Sequence, residues 1–145
     1  MIGGHQPGVE VRPLAGAAYA ITVRGHGLSV DQPLGSGGTD TAPTPVELFV
    51  ASVASSVALG AGEFLRQRGI DQDELKVHAS FRMTGTDRGG RVESIHLRVT
   101  VPRELPARHA PELRVAMAEC AVPQSLHEPP EVDIEINDYP SLAPG

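Results

Sequence analysis

The sequence predicts an α+β protein in which antiparallel sheets enclose one long buried helix, and three observations carry that reading. Between Glu47 and Glu63 the chain has no charge, and apolar residues fall on every side of a helical wheel, the pattern of a helix buried all round. Around it, Tyr19 to Arg24 and Leu28 to Asp31, and later Leu75 to Thr84 and Val92 to Val101, alternate apolar and polar residues with the period of two that marks half-buried strands. A second run, Ala107 to Cys120, returns to three- and four-residue spacing through Leu113, Ala116, Met117 and Cys120. At 145 residues the chain is the size of one domain, with loose tails at 1–8 and 139–145.

The long helix has a clear start. Thr44 is placed as N-cap, Pro45 at the first helical position and Glu47 three residues after the cap, which together make a capping box. Gly69 ends it, just after Arg66 and Arg68 at the carbonyl end. Its uncharged run is about 15 residues against the roughly 20 that cross a bilayer, so core or subunit interface is expected and no membrane partner. Ala51, Ser52, Ala54, Ser55, Ser56, Ala58, Gly60, Ala61 and Gly62 are small enough for a second helix to approach closely. A chain without Trp and with few aromatics has little material to cover such a helix alone, and this favours a homodimer.

The remaining elements follow in order. Gly25-His26-Gly27 is expected to turn the first hairpin, and Asp87-Arg88-Gly89-Gly90 the second. In the second hairpin Val77, Ala79, Phe81 and Met83 face inward with Ile95, Leu97, Val99 and Val101, while Lys76, His78, Ser80, Arg82 and His96 form a solvated outer face. Gly35-Ser36-Gly37-Gly38 is a loop that lacks the Lys-Ser/Thr ending of a phosphate loop. Pro123 is expected to end the second helix, leaving Cys120 in its last turn, and Val132-Asp133-Ile134-Glu135-Ile136 reads as a final strand.

Composition excludes several functions. A net charge of -6 with scattered basic residues argues against a nucleic-acid partner. The start of the chain has neither the positive charge nor the apolar run of a signal peptide, so a cytoplasmic protein is expected. The six histidines show no HExxH and no i, i+4 pair, and one cysteine rules out a multi-cysteine zinc site, so neither metal nor cofactor is expected. Cys120 is the one residue with redox chemistry available. Placed at a helix C-terminus beside Glu119, its thiolate is disfavoured, which supports an inert buried thiol over a reactive one. His127-Glu128 follows at a distance that folding could close. Ser52 and Ser56 lie one turn apart, each expected to donate to the preceding-turn carbonyl. Neither sits in a Gly-x-Ser-x-Gly elbow.

Val30-Asp31-Gln32-Pro33, Gly37-Gly38-Thr39-Asp40, Ala42-Pro43-Thr44-Pro45-Val46-Glu47-Leu48 and Ala118-Glu119-Cys120-Ala121-Val122-Pro123-Gln124-Ser125-Leu126 together resemble the OsmC/Ohr family, the osmotically inducible and organic-hydroperoxide-resistance proteins. The resemblance runs from about Tyr19 to Ile136. It implies an intertwined homodimer with two central helices and two sites at the subunit interface. Family peroxidases use one cysteine on the long helix to attack the peroxide and a second to resolve the sulfenic acid as a disulfide. By that resemblance Cys120 takes the resolving position, Ser56 stands where the attacking cysteine would be, and Val46 replaces a glutamate that orients an arginine, with Arg24 the candidate for that arginine. A serine hydroxyl has no sulfenate or disulfide state, so the two-thiol cycle is unavailable. Three readings follow: a non-peroxidatic protein that keeps the interface pocket for a small apolar ligand, which is favoured; a one-cysteine hydroperoxide reductase using Cys120 and an external thiol; and a structural or stress-associated interaction protein.

Overall fold

The computed structural model describes residues 7–85 and 89–137. Elements follow in the order β1 (Glu10–Pro13), β2 (Tyr19–Val23), β3 (His26–Val30), α1 (Pro45–Gln67), β4 (Lys76–Thr84), β5 (Arg91–Thr100), α2 (Ala110–Ala118) and α3 (Ala121–His127). They form an α+β architecture with two antiparallel sheets, β1-β2-β3 and β4-β5. Of the tails expected at 1–8 and 139–145, residues 1–6 and 139–145 lie outside the described residues, as do the hairpin residues Asp87 and Arg88.

The first hairpin turns one residue earlier than expected. Val23 pairs with His26, and the two turn residues, Arg24 (φ 49°) and Gly25 (φ 81°), both take the positive φ of a type I′ turn. That turn matches the twist of the flanking strands, so it prevails although Arg24 is held in a region that L-residues avoid. Strand β1 is an addition. Its Pro13 weakens a strand assignment by sequence, but β1 is an edge, paired only with β2 from Glu10↔Thr22 to Pro13↔Tyr19, and an edge tolerates proline.

Helix α1 begins and ends as its sequence requires. The Thr44 hydroxyl accepts from the Glu47 N–H at 3.1 Å and the Glu47 carboxylate accepts from the Thr44 N–H at 2.9 Å. At the other end Gly69 (φ 68°) allows a Schellman closure, with Ile70 N–H donating to the Leu65 carbonyl and Gly69 N–H to the Arg66 carbonyl, both at 3.0 Å. Arg68 lies 3.4 Å over the Phe64 ring and reaches Glu112 at 3.0 Å, tying the end of α1 to the start of α2. The helix is long and apolar enough, by length and composition alone, to cross a membrane. Its Val50, Val53, Val57, Ala61, Phe64 and Leu65 are nevertheless packed inside this fold.

Burial of α1 all round is an expectation for the dimer, and the single chain provides it on one side. Ser52 and Ser55 are exposed, and Leu59 is 72% exposed, because α2, α3 and the β4–β5 hairpin cover only one side of the helix. The core gathers Ala61, Phe64 and Leu113 with Leu75, Val101, Leu105, Ala116 and Met117, at the base of the hairpin. Toward the hairpin tip, the inward residues Phe81 and Met83 stay about two-fifths open, at 39% and 42%.

The loop between β3 and α1 is organised by Asp31, which is 1% exposed. Its carboxylate accepts from the Thr41 hydroxyl (2.7 Å) and N–H (3.0 Å), the Gln32 N–H (2.7 Å), and the Thr39 hydroxyl (3.0 Å) and N–H (3.3 Å). A Cβ at Gly38 would collide with the Gln32 carbonyl and the Asp31 carboxylate, so only glycine fits there. The Thr41 hydroxyl first, then the Thr41 and Gln32 N–H groups and the Thr39 hydroxyl, hold the Asp31 carboxyl well below the usual carboxylate range despite its burial. Because the folded-state value is depressed, the stability this loop contributes is complete above the unfolded value of about 3.9 and is lost as pH falls from there toward the folded value. Thermal melts between pH 6 and pH 2 are expected to show a decline that flattens in Asp31→Asn; parallel curves would remove Asp31 as a source of the acid sensitivity.

Two further expectations are corrected. Residues 131–137 form no regular element, and Val132, Ile134 and Ile136 are 71–83% exposed; a lone strand has no partner for its backbone groups, and none of the described residues provides one. The helix expected over Ala107 to Cys120 is divided. A single 3₁₀ turn, Ala107–His109, leads into α2, and the chain breaks at Glu119 and Cys120 before α3. Pro123 causes that break without ending the helical region. It cannot donate to the Glu119 carbonyl, so a continuous helix is interrupted, yet in the first turn of a new helix no N–H is needed.

Candidate functional site

The break places Cys120 differently from the sequence reading. It is the N-cap residue of α3 (φ −66°, ψ 154°), at the amide end of a helix and past the carbonyl end of α2, so the argument from a helix C-terminus does not apply. The thiol is half-buried, and its Sγ lies 3.5 Å from the Ala116 carbonyl as donor. Against it stands Gly60 of α1. A Cβ there would come within 2.5 Å of the Cys120 Sγ and 3.1 Å of the Ala116 carbonyl oxygen. The missing side chain at Gly60 is thus what lets the α2–α3 junction press on the central helix.

Ser56 precedes Gly60 by one turn, on the same face of α1 and about 5–6 Å away by helix geometry. It is half-buried, and its hydroxyl has no hydrogen bond among the described residues. Ser52 behaves as expected, donating to the Phe49 carbonyl at 2.7 Å, and Ser55 donates to the Ser52 carbonyl at 3.2 Å. Ser56 does not follow them. Ser56 and Cys120 therefore meet the same stretch of α1, one turn apart, from positions 64 residues apart in sequence.

Beside this junction lies an apolar cavity of about 410 Å³, lined by Val53, Val57, Leu97, Val99, Arg114, Met117, Ala118, Pro123 and Leu126. Its volume suits a small organic molecule, and Arg114 is its one charged residue. Arg24, by contrast, sits exposed at the tip of the β2–β3 turn, and no residue of that hairpin lines the cavity. Val46 is half-buried in the first turn of α1. His127 is exposed at the end of α3 and takes no part in the cavity wall. Among the described residues no three His, Cys, Asp or Glu side chains gather as a metal-ligand set. Gly60 was among the small residues expected to admit a second helix, and the α2–α3 junction is what approaches it. Sequence reasoning missed Arg114, which carries no local signal, because its place in the cavity wall depends on how α2 is turned in the fold.

The α+β fold, a long central helix packed against two shorter helices and a β-hairpin, is shared with several solved structures. An OsmC-like protein from Mycoplasma pneumoniae superposes with a TM-score of 0.70 at 11% identity, over 84% of this chain and 87% of that one. The organic hydroperoxide resistance protein OhrB of Bacillus subtilis gives 0.59 at 20% identity, over 86% and 92%. A Vibrio cholerae protein described as an organic hydroperoxide resistance protein, with captopril bound in one of its active sites, gives 0.60 at 22%, over 92% and 90%. No curated protein matches the sequence significantly. The family model for OsmC-like proteins matches residues 38–135, and the chain belongs to that family.

Proposed function

We propose that this chain is a non-peroxidatic OsmC-like protein that works as a homodimer and holds a small apolar organic molecule in the cavity beside Cys120. The observation that carries the reading is the contact of the Cys120 sulfur with Gly60, one turn from Ser56. On this reading, which takes Ser56 from the family resemblance as the position of the attacking thiol, an alcohol there can neither reach a sulfenic state nor close a disulfide. What remains is a cavity of ligand size with apolar walls and one cation, a combination that suits an apolar body carrying an anionic or polar end. The Vibrio cholerae relative, with captopril in an active site, supports a small organic occupant. A dimer is supported by the bare face of α1 around Leu59 and by the open inner face of the hairpin at Phe81 and Met83.

The position of Cys120 favours one alternative. A half-buried thiol at the amide end of a helix could attack a hydroperoxide itself, breaking the O–O bond, releasing the alcohol and leaving a sulfenic acid for an external thiol to reduce. One assay separates the two. With organic hydroperoxide and a dithiol reductant, the protein is expected to consume peroxide no faster than its Cys120→Ala variant. Turnover that depends on Cys120 would establish the one-cysteine reductase instead.

A further inference from the structure

The outer face of the β4–β5 hairpin is charged against the rest of the molecule. Lys76, Arg82, Arg91 and Arg98, four of the 12 lysines and arginines in a chain of net charge -6, lie exposed on it with His78 and His96. Glu93, at the irregularity where the register shifts after Arg82, is the one carboxylate of the two strands. Among the described residues none of the four cations is in an ion pair, whereas Arg12, Arg66 and Arg68 elsewhere each hold a glutamate. A solvated sheet face needs no such imbalance, since mixed signs serve solubility equally well.

Within this face the register sets Ser80 opposite His96 and Arg82 opposite Ser94. These four side chains, with Phe81, line a depression of about 170 Å³. That is below the roughly 300 Å³ at which drug-sized ligands begin, so it fits one small group. Two hydroxyls, a guanidinium with paired N–H donors and an imidazole offer more donors than a carboxylate's two oxygens can use, and they match the several oxygens of a phosphoryl group. Along β5, Arg98 stands two residues beyond His96, about 6.6 Å away, and faces His78 across the ladder. A second and third anionic group attached to the first would meet this pair. Besides the His96 imidazole and Phe81, which alternates toward the inner face, no aromatic residue among the described residues borders the depression, which gives a nucleobase little to stack on.

We propose that the outer face of β4–β5 is a binding site for phosphoryl groups, seated between Ser80, Arg82, Ser94 and His96, with Arg98 and His78 extending it for ligands that carry several phosphates. The site stands apart from the Cys120 cavity and does not depend on what that cavity holds. The probes are inorganic phosphate and tripolyphosphate, titrated at constant ionic strength into the full chain while backbone amide shifts are followed by NMR. Saturable shifts confined to the residues around Ser80, Arg82, Ser94 and His96 are expected, with tripolyphosphate binding at least roughly tenfold tighter than phosphate. Equal affinity for the two would restrict the site to a single free phosphate and remove the extension through Arg98. Arg82→Gln is expected to weaken tripolyphosphate binding roughly tenfold and Arg82→Lys less, with circular dichroism unchanged, while Arg108→Gln on another surface has no effect. Shifts that never saturate, that spread to Arg103, Arg108 and Arg114, or that are the same in Arg82→Gln would overturn the proposal.

Discussion

Replacing Ser56 by cysteine is expected to turn a protein with no Cys120-dependent peroxide turnover into one that consumes organic hydroperoxide at least ~100-fold faster in the presence of a dithiol, since a thiol is several per cent thiolate at neutral pH and a serine hydroxyl is not ionised. The introduced thiolate would attack a peroxide oxygen, the O–O bond would break and the alcohol would leave, giving a sulfenic acid. Cys120 would then displace water from that sulfenic acid to form a disulfide, and the dithiol would reduce it. Geometry makes this accessible but not automatic. Cys120 rests on Gly60, one turn beyond Ser56, and a disulfide needs its two Cβ atoms about 3.5–4.5 Å apart, so any remaining approach has to come from movement of the α2–α3 junction. Cys120 can supply that movement because it lies between helices, in extended backbone. Thiol counting after one equivalent of peroxide is the direct check: both thiols should disappear together as a disulfide in Ser56→Cys, whereas Ser56→Cys combined with Cys120→Ala, with one thiol, should give a sulfenic acid and no intrachain disulfide. Persistence of both thiols after oxidation would mean that the pocket no longer supports the pairing, and the reading of Ser56 would fall.

Leu59→Glu is expected to convert a dimer into monomers. In the single chain Leu59 is 72% exposed, so a glutamate there should cost the isolated fold little. It stands beside a depression of about 580 Å³ running along the bare side of α1 past Ser55, Ala58, Gly62, Arg66, Gln72 and Leu75. If a second copy covers this face, twofold symmetry buries the new charge twice, and an unpaired buried charge costs several kcal/mol, or on the order of 1,000-fold or more in dissociation constant. Sedimentation at micromolar protein should show the wild type as dimer and Leu59→Glu as folded monomer. A wild-type monomer, or a variant that remains dimeric, would contradict the assignment of this face as the interface.

Local chemistry was legible wherever a feature is set by neighbours in sequence. Thr44, Pro45, Glu47 and Gly69 fixed both ends of α1, because capping and Schellman closure involve only residues a few positions apart. The inward sets of β4 and β5 followed from a period of two, and Leu113, Ala116 and Met117 from a period near 3.6. Reading failed where two local rules competed. A non-glycine at positive φ is uncommon, which points the first turn away from Arg24, and Pro123 permits both a helix end and a helix break at Cys120. It fails also for 131–137, whose alternation is that of a strand but for which the described residues supply no pairing partner.

By itself the sequence determined the fold class, the central helix with its two ends and the family resemblance now matched over residues 38–135. Only the tertiary structure decided that Cys120 begins a helix, that Gly60 receives its sulfur, that Arg114 borders the adjacent cavity and that Arg24 does not. The physical reason is distance along the chain. Backbone hydrogen bonds and side-chain periodicity act over three or four residues and leave their mark in any short window, whereas the meeting of α1 with the α2–α3 junction joins residues some sixty positions apart and depends on how every intervening element packs.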